Sequence, residues 1–211
     1  MKILLINPSK YDAEGRLEKY RRGSMPPLNL LIAAGLIDER RATIRVVDEY
    51  LEDVPFDQDF DLVGISTTFT CTFPRVIDIS RRFRERGIPV VLGGTHATCM
   101  AQEAAPHADS IVLCEAERNW PALVEDRAAG RPLKPFYGGD FADLENEPFH
   151  PPRYDLVDLS RYIRIGLFSP SNLFALETSR GCPMPCTFCS IGITHGKKPR
   201  FRSIAAVLEE V

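Results

Sequence analysis

The chain has 211 residues, of which 44% are hydrophobic and 26% charged, and it carries a net charge of −3. These are the proportions of an ordinary globular protein of one large or two small domains, and they give no argument for nucleic acid or an acidic membrane as a partner. No apolar run approaches membrane-spanning length, and the apolar start, Met1 to Ile6, stops at Asn7-Pro8, too early for a signal peptide. Six cysteines without a secretion signal read as reduced thiols or metal ligands in a cytoplasm.

Short apolar runs alternate with longer amphipathic ones over residues 1–130. Ile3 to Ile6 is the first expected strand. Pro26-Pro27 opens a helix over Leu28 to Glu39, since proline is tolerated in a first turn. Thr43 to Val47 and Asp61 to Ser66 are the second and third strands. Pro74 to Arg86 is a helix with Val76, Ile77, Ile79 and Phe83 on its inner side. Ile88 to Leu92 and Ile111 to Leu113 are the fourth and fifth strands, and a helix over Glu117 to Ala129 ends at Gly130. Strand–helix alternation predicts right-handed crossovers and a doubly wound parallel α/β sheet, Rossmann-like in class.

Such sheets bind ligands beyond the carboxyl ends of their strands. The segments expected there are Asn7-Pro8-Ser9, Ser66-Thr67-Thr68-Phe69-Thr70, Gly93-Gly94-Thr95-His96-Ala97-Thr98 and Cys114-Glu115-Ala116-Glu117. Hydroxyls can pair with amides or phosphates, and Gly93-Gly94 removes side chains where a bulky ligand approaches the backbone. Each feature alone is also what a plain turn or helix cap looks like. On one rim together they predict a pocket.

Residues 131–170 read as a linker and bridging segment, rich in Pro, Gly and acids, with one short strand near Pro135 to Tyr137. Residues 171–211 begin another unit. Leu173 to Thr178 is its expected first strand, and Ser203 caps a helix over Ile204 to Val211. Between these lies Gly181-Cys182-Pro183-Met184-Pro185-Cys186-Thr187-Phe188-Cys189, with cysteines spaced C-x3-C-x2-C. Three thiolates in one loop cannot all pair as disulfides but can converge on one inorganic centre. A four-iron cluster wants four thiolates, so three leave one iron open to a non-protein ligand. Zinc, which would need a fourth Cys or His, stays open through His195.

The cysteine spacing, with Phe188 before the third cysteine, resembles the cluster loop of radical S-adenosylmethionine enzymes. The order Asn-Pro, Pro-Pro-Leu, Asp48-Glu49, Gly-Ile-Ser-Thr-Thr, Val-Leu-Gly-Gly-Thr-His-Ala-Thr and Glu115-Ala116-Glu117 is similar to the cobalamin-binding domain that precedes many of their barrels. The resemblance covers nearly all of residues 1–130 plus the cysteine loop. It implies a [4Fe-4S] cluster on Cys182, Cys186 and Cys189, with Phe188 near the adenine of S-adenosylmethionine. It implies cobalamin bordered by Ser66, Thr67, Thr68, Gly93 and Gly94, with Asn7, Phe69, His96 and Glu115 as neighbours. It further implies cleavage of S-adenosylmethionine to a 5′-deoxyadenosyl radical, hydrogen abstraction, and methyl transfer to an unactivated carbon of a small molecule, with ring formation or rearrangement on the same framework. An external electron donor such as flavodoxin or ferredoxin would reduce the cluster. One βα unit cannot bury its own faces, so the sequence reads as the front of a longer protein, ending in the start of a TIM-like barrel.

Two departures bear on this. Many cobalamin domains carry Asp-x-His-x-x-Gly after the first strand, whose His binds cobalt, and residues 7–15 contain no histidine. Cobalt is therefore expected to lack a His ligand from this loop, and His96 to be buried or capping. Cys114 stands where the family has Gly. Cys71, Cys99 and Cys114 follow the third, fourth and fifth strands and are expected as reduced, unlinked, buried packing residues. A second cluster there would make the protein a methylthiotransferase. A reading from another class is a non-catalytic cobalamin carrier or sensor whose terminal cysteines hold a structural metal.

Overall fold

The computed structural model describes residues 1–162, 164–165, 171–172 and 175–210. Its centre is a six-stranded parallel sheet in the order β2-β1-β3-β4-β5-β6. The strands are β1 (Lys2–Asn7), β2 (Thr43–Asp48), β3 (Leu62–Ser66), β4 (Val90–Gly93), β5 (Ser110–Leu113) and β6 (Phe136–Gly138). Most sheet positions are buried, as a parallel sheet covered on both faces requires, and the exceptions lie at strand ends and on the edge strands. Alternate residues serve two cores. Ile3, Leu5, Val46, Leu62, Val91 and Val112 pack under α1 (Leu28–Gly35) and α5 (Ala116–Ala128). Leu4, Ile6, Val63, Ile65, Val90 and Leu92 pack under α2 (Phe73–Glu85), α3 (Thr95–Cys99) and α4 (Ala101–Ala104).

The expected parallel α/β sheet is therefore present, with differences that have local causes. The helix expected to reach Glu39 stops at Gly35, where the chain of Pro151 crosses so closely that a Cβ would lie 2.3 Å from its carbonyl oxygen. The rim segment after β4 is helical from Thr95 onward. The strand expected inside the linker is β6, the sheet's own edge, so the sheet extends past residue 130. Because α5 crosses the α1 face while the chain moves from β5 to β6, that step has the opposite hand to the other three helical crossovers. A three-residue edge strand carries that exception at little cost.

Beyond the sheet lie β7 (Arg164–Ile165), β8 (Ser171–Asn172), β9 (Ser179–Arg180), α6 (Ile191–Thr194), β10 (Arg200–Phe201) and α7 (Ile204–Glu210). Leu173 and Phe174 lie outside the described residues, and so does Val211. Residues 175–178 are not strand; the strand starts at Ser179 and pairs antiparallel with β10 across the cysteine loop. Ser203 does cap α7, accepting from the Ala206 amide at 3.1 Å. Residues 153–162 strap the sheet: the Arg153 amide donates to the Leu31 carbonyl at 3.1 Å, and the Tyr162 hydroxyl to Asp48 at 3.1 Å.

One ion pair is sealed inside the sheet domain. Arg75 on α2 donates to Glu49, just past β2, at 2.6 and 3.1 Å, and Glu49 also accepts from the Ser9 amide at 3.1 Å. Both side chains are nearly inaccessible. Removing one partner of such a pair strands a buried charge, which costs about 3–5 kcal/mol. Glu49→Ala is expected to destabilise the protein by that amount in urea denaturation; a loss below about 1 kcal/mol would show that the pair contributes no more than a surface bridge.

Candidate functional site

The carboxyl ends of β1 to β5 open onto a cavity of about 850 Å³. It runs down between the sheet and the α1/α5 layer, where Leu5, Gly64, Val91, Val112 and Trp120 make an apolar floor. A strand order that reverses next to β1 places a crevice there, because the chain leaves β1 and β3 toward opposite faces. The upper wall is polar. Ser66 and Thr68 oxygens lie 2.9 Å apart, and the Asn29 amide on α1 donates to Ser66 at 2.8 Å. Asn7 donates to the buried Asp48 at 3.0 Å; burial pushes the Asp48 carboxyl up, against the bonds it accepts from Asn7 and Tyr162. Tyr20 and Tyr50 stack at the mouth with ring centroids 5.2 Å apart.

Of the residues expected around a ligand, Asn7, Ser66, Thr68, Phe69, Gly93, Gly94 and Glu115 line this cavity. Thr67 and His96 do not. Thr67 is fully buried; its hydroxyl donates to the Gly93 carbonyl at 2.9 Å and accepts from the Ala97 amide at 3.0 Å, so it pins the rim. His96 is buried on the α2 side, with Nδ1 3.3 Å from Thr70 Oγ1 and its ring 4.1 Å from Phe73. The buried role expected of it is the one it has.

The two glycines differ. Gly94 has φ +110, a region L side chains avoid, and a Cβ there would lie 3.2 Å from the Thr67 backbone. It is required by the rim itself. A Cβ on Gly93 would meet nothing closer than Val112 at 3.8 Å. Gly93, unlike Gly94, has room for a Cβ and a φ that L residues adopt.

The cysteines after β3, β4 and β5 are not core thiols. All six cysteines are free; Cys71 is exposed, Cys99 and Cys114 are half-buried, and Cys71 and Cys114 line the cavity. Cys71 sits in the turn before α2, Cys99 at the end of α3 and Cys114 directly after β5, all past the strand ends.

The second half of the chain closes one wall, through Glu177, Arg180, Thr194 and His195. Its attachment is Glu115, at the start of α5. Glu115 accepts from Arg200 at 2.5 and 2.8 Å and from the Ala142 amide at 2.6 Å; Arg180 and His195 nitrogens lie at 3.7 and 3.5 Å. Arg180 also pairs with Glu117 and Glu177, both at 2.7 Å. Asn29, Trp120, Arg180 and Arg200 were not legible as site residues. Asn29 directly follows the noted Pro-Pro-Leu, and Arg180 and Arg200 flank the cysteine loop, which is the signal that could have found them.

Cys182, Cys186 and Cys189 share the loop between β9 and α6. It is held at its base by the Cys182 amide, which donates to the Gly196 carbonyl at 3.1 Å, and by a turn from Cys186 to Cys189 at 3.3 Å. Among the described residues no three Cys, His, Asp or Glu side chains converge as a metal site, so the three thiols are on one loop but not gathered. Phe188 is 90% exposed and lies away from the cavity wall. The donor set suits a cluster: three free thiols, no disulfide, and a loop short enough to bring them together. The cavity suits a large ligand with an apolar body and hydrogen-bonding edges.

Burial alone would raise the Glu115 carboxyl, but Arg200, His195, the Ala142 amide and Arg180 together hold it at about 2, against an ordinary 4.5. A carboxyl depressed by folding stabilises the folded state above its unfolded value and loses that contribution as pH falls toward the folded one. The Glu115 contribution is thus complete above about pH 4.5 and lost toward about pH 2. Between these values the wild-type stability is expected to fall more steeply with pH than that of Glu115→Gln, which has no proton to bind. Parallel acid-denaturation curves would remove this role.

The B12-binding domain family matches residues 20–124. An uncharacterized methyltransferase of Pyrococcus horikoshii is 30% identical over all of this chain and half of its own length. The bacteriochlorophyllide d C-8(2)-methyltransferase of Chlorobaculum tepidum is 36% identical over 74% of this chain and 34% of its own. The hopanoid C-3 methylase of Methylococcus capsulatus is 26% identical over 89% of this chain and 40% of its own. The chain thus spans half or less of these relatives. The radical S-adenosylmethionine methyltransferase TsrM of Kitasatospora setae, solved with cobalamin and a [4Fe-4S] cluster bound, superposes with a TM-score of 0.67 at 19% identity, over 99% of this chain and 46% of that one. That likeness is one of fold. Residues 20–124 are a B12-binding domain, and over its length the chain is related to proteins named as methyltransferases.

Proposed function

We propose that this chain is the cofactor-binding part of a cobalamin-dependent radical S-adenosylmethionine methyltransferase that methylates a carbon of a small molecule. The observation that carries this reading is the wall shared by the two halves. The cavity over the B12-binding domain is closed by Arg180, Thr194 and His195, residues that flank the C-x3-C-x2-C motif. Cobalamin would lie across the strand ends, between Ser66, Thr68 and Asn29 on one side and Glu115 on the other, with Gly93 leaving room beside the backbone. Cys182, Cys186 and Cys189 would hold the cluster, leaving one iron for S-adenosylmethionine, and Phe188 would meet its adenine. When bound, these groups supply a carbon-centred radical and a transferable methyl group; the chain's part is to hold them side by side and exclude water.

The relatives act, by their names, on bacteriochlorophyllide and hopanoid carbons. That supports carbon methylation as the reaction class here. The six free cysteines support a reducing compartment, the cytoplasm, where a flavodoxin or ferredoxin could serve as electron donor. No helix among the described residues is long and apolar enough to cross a membrane.

Titration with hydroxocobalamin, followed by visible absorption, tests the cavity. Binding is expected, with cobalt lacking a His ligand from residues 7–15, since none is there. Gly93→Val is expected to weaken binding at least about tenfold, roughly 1.4 kcal/mol, with circular dichroism unchanged. Absence of binding by folded protein would remove the assignment.

After anaerobic reconstitution the protein is expected to show the electron paramagnetic signal of a reduced four-iron cluster. Each of Cys182→Ala, Cys186→Ala and Cys189→Ala is expected to abolish it. Zinc in place of iron would refute the cluster.

A further inference from the structure

The turn between β5 and α5 does more than border the cavity. Among the described residues, Cys114 is the non-glycine residue with a positive φ, at 59. L residues avoid this conformation, and where one adopts it the surrounding contacts impose it. Here the Cys114 amide donates to Thr98 Oγ1 at 3.0 Å and its thiol meets the Ile193 carbonyl at 3.6 Å. A glycine would take this φ more readily but could not reach Ile193. The next residue, Glu115, holds Arg200, with Arg180 and His195 beside it. Two consecutive residues of the sheet domain thus grip the cysteine-bearing segment on both sides of its thiols.

Both residues also line the cavity, and so do Arg180, Thr194 and His195 from the gripped segment. The cavity is complete only when that segment is docked. Glu115 is already sealed at 2% exposure, so a ligand filling the cavity would act on the docked segment's side of the wall, touching Arg180 and excluding water from His195, which is 38% exposed. We propose that the Cys114–Glu115 turn is a positioning element that makes cofactor occupancy of the cavity and docking of the C-x3-C-x2-C loop depend on each other. The inference rests on reading the cavity as the cobalamin site. A ligand that contacts only the docked state must shift the population toward it, and the coupling is reciprocal.

Thiol accessibility in the cluster-free protein reads this out. Cys182 and Cys189 are half-buried in the docked loop, whereas Cys186 is exposed and serves as an internal control. Iodoacetamide alkylation, resolved by peptide mass mapping, is followed anaerobically with and without saturating hydroxocobalamin. Hydroxocobalamin is expected to slow alkylation of Cys182 and Cys189 about tenfold, within the range of ordinary site coupling, and to leave Cys186 unchanged. In Glu115→Gln, at hydroxocobalamin concentrations that still saturate it by absorption, the protection is expected to vanish. Should that variant not fold, Arg200→Gln is expected to do the same, with Arg200→Lys restoring part of the protection. Equal alkylation with and without hydroxocobalamin in the wild type would overturn the proposal, as would protection that survives in the variants. Failure of hydroxocobalamin to bind, visible in the absorption titration, would overturn the cobalamin reading and this inference with it.

Discussion

Glu115 carries a charge into a place where its side chain is only 2% exposed. An unpaired carboxylate there would take up a proton or keep the site from forming. Its counter-charges are Arg200 and Arg180, and both come from beyond residue 175. The sheet domain therefore cannot satisfy its own rim. It is completed by the segment that carries the cysteines, and this dependence brings residues flanking the cysteine loop into the cavity wall. Arginine suits the task because its planar fork meets both carboxylate oxygens at once.

The pair Glu49–Arg75 makes a contrast. It is as deeply buried, but both partners and the Ser9 amide belong to the sheet domain. It fixes the loop after β1 against α2 and contributes to one domain's stability. Asp48, one residue earlier, faces the other way, toward the cavity, and is met by Tyr162 from the strap. Adjacent acids at one strand end thus serve the sheet's interior and the strap, because successive residues on a strand point to opposite faces.

The cysteine loop is held at its base and open at its tip. Gly181 has φ +91, and a Cβ on it would lie 2.3 Å from the Lys198 carbonyl, so glycine is needed where the two ends of the loop pass each other. Met184 and Phe188 beyond it are exposed. A thiol set presented this way needs no folded core of its own. It needs its ends fixed, which β9–β10 pairing and the grip of Glu115 on Arg200 provide.

The sequence by itself determined the parallel α/β sheet, the rim segments and the cysteine spacing. Apolar periodicity, glycine and cysteine spacing are local signals, and local signals survive in one dimension. It also carried the family resemblance, from the Gly-Gly, Ser-Thr-Thr and C-x3-C-x2-C motifs. Only the tertiary structure decided that Ser66 and Thr68 face the cavity while Thr67 between them is buried, since facing depends on which helix layer covers each side. Only it showed that Cys71, Cys99 and Cys114 lie beyond the core, that Gly94 is held by its own φ, and that the presumed linker supplies the sheet's last strand. The partnership of Glu115 with Arg200 joins residues 85 positions apart. No periodicity or motif spacing encodes such a pair, because it exists only once the chain has folded back and the desolvated carboxylate has required it.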